Sequence, residues 1–133
     1  MAEKINTETL NRLISAHKDD PDLVQIITDA LESFEKYHQS IYRLEIMRKL
    51  YTCGAMSTET YRELIPELDS IRSGHHNTML SELKLLNRLA AQDNLPPIYP
   101  GEVSEERPIR TWVADAVLDF VRQVIDDRVT GGR

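Results

Sequence analysis

The sequence predicts an all-α fold: an antiparallel helical bundle of three long helices plus a short N-terminal helix. Three observations carry that prediction. Leu23, Ile27, Ala30, Phe34, Tyr37, Ile41, Leu44 and Tyr51 recur at alternating steps of four and three, with Arg48 the one charged interruption and Met47 beside it. Steps of this kind keep side chains on one face of a helix. A second stripe, Tyr61, Leu64, Leu68, Ile71, His75, Met79, Leu83, Leu86 and Ala90, repeats the pattern on a separate segment. Five glycines and a 6% aromatic content suit helices better than a β-sandwich. A helix from Pro21 to Thr52 spans roughly 48 Å at the usual rise, so others must lie along it.

Each element has its own signals. The first helix is expected near residues 8–18, capped by Asn6 or Thr7, with Leu10, Leu13, Ile14 and His17 at helical spacing. Asp19-Asp20-Pro21-Asp22 closes it and opens the second helix, near 21–52. Asp20 can accept from orphan N–H groups, and Pro21 at the first helical position loses no needed donor. Gly54 stops that helix in the left-handed conformation. Ser57 caps the third, near 58–92, with Tyr61 placed to close a staple over Met56. The short connection makes the third helix antiparallel to the second. Pro66 predicts a kink or break in it, and Gly74 is a second weak point costing about 1 kcal/mol.

Pro96, Pro97, Pro100 and Gly101 exclude a helix over much of 93–107, while Leu95, Ile98, Tyr99 and Val103 should pack that segment against the bundle. Ser104 or Arg107-Pro108 starts the last helix, near 108–128. Ile109, Trp112, Val113, Ala116, Val117, Phe120, Val121, Val124 and Ile125 form its buried face, and Thr130-Gly131-Gly132 ends it. The predicted core comprises Leu23, Ile27, Phe34, Ile41, Leu44, Leu68, Leu83, Leu86, Trp112, Val113, Val117 and Phe120.

A chain of 133 residues fits a single domain, 1–133, able to bury a core without disulfides or metal. The net charge of −6 argues against a nucleic-acid partner, which calls for a basic face. Cys53 is the only cysteine, so neither an intramolecular disulfide nor a cysteine-based zinc site can form. Its place at a helix C-terminus disfavours the thiolate. Met1 to Thr9 lacks the apolar core of a secretory signal, and no uncharged apolar run approaches the roughly 18 residues of a membrane span. A cytoplasmic protein is the expectation.

No phosphate-binding glycine loop, H-E-x-x-H, EF-hand loop or serine-nucleophile elbow occurs. Glu32-x-x-Glu35 resembles half of a bundle carboxylate site, but the pair flanks the seam residue Phe34, which reads as a solvated face. Asp115, Asp119 and Arg122 read as solvent-facing, Glu105 and Glu106 as helix-start residues, and Trp112 as a core or interface anchor. The best constellation is Asp69, Arg72, His75, His76 and Asn77. Asp69, Arg72 and His76 share a helical face. In a hairpin turning near residue 55, His38 falls level with Arg72, and Phe34 and Glu35 with His76. Two histidines and a carboxylate could hold a ligand or proton-transfer site, or form a polar network that fixes register. The sequence assigns no metal ligands and names no cofactor.

The run Arg72 to Ala90, with His76-Asn77 and Leu86-Asn87-Arg88-Leu89, is followed by Leu95-Pro96-Pro97-Ile98-Tyr99 and Ser104-Glu105-Glu106-Arg107-Pro108. Together they resemble a family of short bacterial proteins of unknown function. The resemblance covers most of the second half and brings no catalytic residues. It implies a bacterial cytosolic helical protein and singles out His76, Asn77 and Asn87. The functional expectation is a non-catalytic interaction or regulatory module that forms a homodimer or binds another protein, since helices of unequal length leave apolar stripe uncovered. The alternative is a small-molecule or metal-binding bundle, with hydrolysis the reaction it could support, and its site at His38, Asp69, Arg72, His76 and Asn77.

Overall fold

The computed structural model describes residues 4–103 and 111–130. Four helices run in order: α1 Thr7–Ala16, α2 Pro21–Thr52, α3 Thr58–Gln92 and α4 Thr111–Thr130, with no strand among the described residues. The predicted caps form. The Asn6 side chain accepts from the Thr9 N–H at 3.0 Å, and Asp20 from the N–H groups of Asp22 and Leu23. Ser57 accepts from the Thr60 N–H at 3.2 Å. Gly54 takes φ +84°, ending α2 as expected. Tyr61 stacks on Tyr51 across the turn, centroids 4.2 Å apart.

α3 closes with a device the sequence reading passed over. Asn94 has φ +60°, its N–H bonds to the Ala91 carbonyl, and the Leu95 N–H bonds to the Ala90 carbonyl. These two bonds are a Schellman cap, with asparagine in the left-handed place usually held by glycine.

α2 and α3 pack along one another as an antiparallel hairpin, with α4 laid on α2 and α1 on α3. Phe34 meets Phe120 edge-on at 6.3 Å, in a core that also holds Leu13, Leu83, Leu86, Val113 and Val117. The segment after α3 packs inward as expected. Ile98 and Tyr99 are fully buried, and the Ile98 carbonyl accepts from the Asn6 N–H at 2.7 Å.

Several expectations need correction. Of the kink or break expected at Pro66, the break does not occur, since α3 is one helix from Thr58 to Gln92. Pro66 is exposed, which leaves the carbonyl one turn back facing water when its usual donor is missing. Trp112 is 43% exposed and not part of the core, because it lies about 100° round the helix from Val113. Leu23, Ile41 and Leu68 are half-buried. The expected start of the last helix at Ser104 or Arg107-Pro108, with Glu105, Glu106 and Ile109, lies outside the described residues, as does Gly131-Gly132.

The reason for half-burial at Ile41 and Leu68 is length. α4, at roughly 30 Å, is far shorter than α2 or α3. The central core cluster reaches to Ile41 on α2 and Met79 on α3, and Leu44, also buried, lies outside it. Beyond those levels the hairpin continues as a two-helix arm, made of residues 41–52 and 58–71.

Candidate functional site

Where the arm leaves the body, α2 and α3 bring together Tyr37, Arg72 and His76. Helical periodicity places them: Arg72 and His76 are one turn apart on α3, and Tyr37 is a seam residue of α2. The Arg72 Nε donates to Asp69 Oδ1 at 3.1 Å, and its Nη2 donates to Ser73 Oγ at 3.0 Å. Its side chain is only 14% exposed, whereas that of Asp69 is 59% exposed. The Tyr37 ring meets the His76 ring edge-on at 5.4 Å. His76 is 1% exposed, and neither ring nitrogen has a partner of hydrogen-bonding geometry.

The electrostatics follow from this packing. Burial, and then the Arg72 charge, hold the His76 imidazole below its ordinary pKa, with the Asn77 side chain opposing them. Burial raises the Tyr37 phenol, while Arg72 pulls it back and Asp115 of α4 adds to the rise. His76 is therefore a neutral ring in a closed seam. Arg72 is engaged by Asp69 and Ser73, and its charge acts on the Tyr37 phenol.

Of the residues singled out from sequence, Asp69, Arg72 and His76 share this neighbourhood. Asn77 is exposed beside His76. No hydrogen bond, ion pair or ring contact among the described residues joins His38 to them; its Nδ1 is buried without a partner. The hairpin register differs from equal-level pairing by less than one turn, enough to set Tyr37 rather than His38 on the α3 group. Phe34, expected level with His76, packs on Phe120 instead. Among the described residues, no three His, Cys, Asp or Glu side chains converge to hold a metal ion.

A groove of about 640 Å³ opens elsewhere, between α1, α2 and α4, over Leu10, Ile14, Leu31 and Val124. Glu32 and Glu35 stand at its edge, both exposed, with Glu32 3.5 Å from Lys36. None of the Arg72–His76 group lines it.

Asn87 is the polar residue with the most definite task. Its Nδ2 donates to the Tyr99 carbonyl at 3.2 Å, and its Oδ1 accepts from the Tyr99 N–H at 3.0 Å. One side-chain amide thus replaces a strand neighbour for a buried loop residue. The family resemblance had marked Asn87, but spacing alone gave no sign of its partner. Gly101 follows from the same packing: a Cβ there would meet the Tyr99 ring at 2.5 Å.

Helix order, the hairpin and the strap that follows α3 over residues 93–103 define the class, an all-helical bundle built on one long antiparallel hairpin. The chain belongs to the family described as protein of unknown function (DUF3232), whose pattern matches residues 1–129. No curated protein and no solved structure matches it. No helix among the described residues is long and apolar enough to cross a membrane.

Proposed function

We propose that this protein is a non-catalytic helical interaction module that self-associates through the arm. The observation that carries the reading is the arm's exposed apolar surface. Ile46 and Leu50 of α2 are 38% and 39% exposed, and Leu64 and Ile71 of α3 are 37% and 40% exposed. Tyr42, 59% exposed, precedes Ile46 and Leu50 at four-residue steps, so the three form an apolar stripe on the side of α2 turned away from α3, of the kind a partner covers. An isolated two-helix arm also gains little from propensity and needs packing to stay ordered.

Sedimentation velocity across a wide concentration range tests this. Concentration-dependent dimer formation is expected, and its loss in Ile46→Glu/Leu50→Glu with helical content unchanged. A compact monomer at the highest concentration overturns the reading.

The competing reading is a small-molecule or metal site at the Arg72–His76 group, favoured by the unpartnered His76 nitrogens. Its difficulty is access, since His76 is 1% exposed and a ligand must first part α2 from α3. Thermal-shift measurements with divalent ions and nucleotides decide it: a ligand at 100 times its Kd should stabilise the fold by about 2.7 kcal/mol. That shift should vanish in His76→Ala.

A further inference from the structure

One side of α2 in the arm is apolar and bare. Leu44, which is buried, marks the side turned to α3, and Ile46 lies about 160° round the helix from it. Tyr42 and Leu50 stand one turn before and one turn after Ile46, so the three make a single row directed away from α3. All three are exposed. Charged side chains border the row. Glu45 and Lys49 lie on one flank of it, a turn apart, and Arg43 lies on the other. No ion pair among the described residues occupies Arg43, Glu45 or Lys49.

We infer that two copies dock row on row, their α2 helices antiparallel about a twofold axis that passes beside Ile46 at right angles to the helix. The inference rests on the self-association proposed above and names the helix, register and direction of its contact. A twofold contact meets itself, so one row serves both copies. The axis sets Ile46 on the partner's Ile46, and Tyr42 level with the partner's Leu50. It also leaves each flank facing its own copy, run in reverse. Glu45 then stands about 3 Å along the helix from the partner's Lys49, and symmetry makes that pair twice. The two Arg43 side chains, on the other flank, start about 9 Å apart along it. Flanking pairs of this kind select partner, register and direction, while the apolar row supplies the burial. A parallel pair, turned about an axis along α2, differs at its other end. It carries both bodies to the same side, where the exposed Glu35 lies on the continuation of the row and meets its own copy. The antiparallel pair sends the bodies to opposite ends and overlaps only the arms.

Cross-linking and charge exchange test the arrangement in the full chain. Cys53→Ser/Ile46→Cys carries its only thiol beside the axis, and mild oxidation should join its dimer covalently. The wild type should not cross-link through the exposed Cys53, whose two copies lie about 21 Å apart along the antiparallel pair, beyond disulfide reach. Glu45→Lys and Lys49→Glu should each associate at least about fivefold more weakly than the wild type. Glu45→Lys/Lys49→Glu should recover wild-type association, because its two signs have only changed places. Light scattering behind a sizing column reads association, with circular dichroism checking each fold. Should a reversed variant lose helicity, Glu45→Gln or Lys49→Gln replaces it, and weaker association is again expected. A monomeric wild type overturns the self-association reading and this inference with it. In a dimeric wild type, a disulfide through Cys53 means a parallel pair, and failure to cross-link at position 46 puts the contact elsewhere. Either result overturns the pairing and leaves self-association standing. Single charge variants that associate like the wild type, or a double variant no better than the singles, overturn it equally.

Discussion

Asn87 holds both backbone groups of Tyr99 with one amide, in a place where water does not reach the ring behind it. Asn87→Ala removes both hydrogen bonds to the Tyr99 backbone, and the expected loss of stability is about 1–3 kcal/mol in urea or thermal melts. His76 has the opposite character, a buried ring whose two nitrogens have no partner of hydrogen-bonding geometry. Its folded pKa lies below the unfolded value of about 6.5, so the unfolded chain takes up a proton first. The contribution of neutral His76 is fully present above that pH and is lost as the pH falls through the depressed folded value. A plot of unfolding free energy against pH should decline below about 6.5, and His76→Leu should flatten that decline. Phe34 and Trp112 separate in the same way by burial. Phe34→Ala, at 0% exposure, should cost about 3–5 kcal/mol, whereas Trp112→Ala should cost clearly less, as paired denaturant titrations would show. Periodicity found both aromatics but could not rank them, because a residue 100° off the centre of an apolar face still fits the same pattern.

Helix bounds were the most legible part of the sequence. Asp20-Pro21, Gly54 and Ser57 each carry a local hydrogen-bonding or φ requirement that no distant residue can alter, and α2 is bounded where these signals place it. The end of α3 was less so, since its left-handed residue is Asn94 and its carbonyls are met by backbone that has no sequence signature. Pro66 shows the limit of a local rule. Its missing N–H weakens the helix, but packing of α3 on α2 carries the element through. Pro66→Ala restores one backbone bond at an exposed position and should stabilise the protein by about 1–3 kcal/mol, after allowance for the freer unfolded chain. A lowered melting temperature would mean that the proline relieves strain in the arm. Asp69, Arg72 and His76 follow from spacing along α3, and Tyr37 lies on the α2 stripe where His38 does not; pairing by level alone, which ignores the face a residue occupies, is what pointed to His38.

At the scale of the molecule, the two ends of the hairpin meet different fates. The far end projects as the arm. The near end is gathered by two contacts between segments remote in sequence, Asn6 on Ile98 and His17 on Asp93 at 2.6 Å, and by the more local contact of Asn87 on Tyr99. Unequal helix lengths made an uncovered stripe predictable, but which part would be bare required knowing that α4 lies towards the near end. The gathered end also has a kinetic consequence. The Asn6–Ile98 and His17–Asp93 contacts close long loops, and loop closure delays such contacts until the helices are already paired. The hairpin therefore forms ahead of the strap. Asn87→Ala and His17→Ala should accelerate unfolding while leaving the refolding rate nearly unchanged, so that stopped-flow chevrons shift on the unfolding limb alone. Opening from this end releases Ile98 and Tyr99 while the hairpin is still whole, giving the protein an early unfolding step at the end opposite its proposed partner.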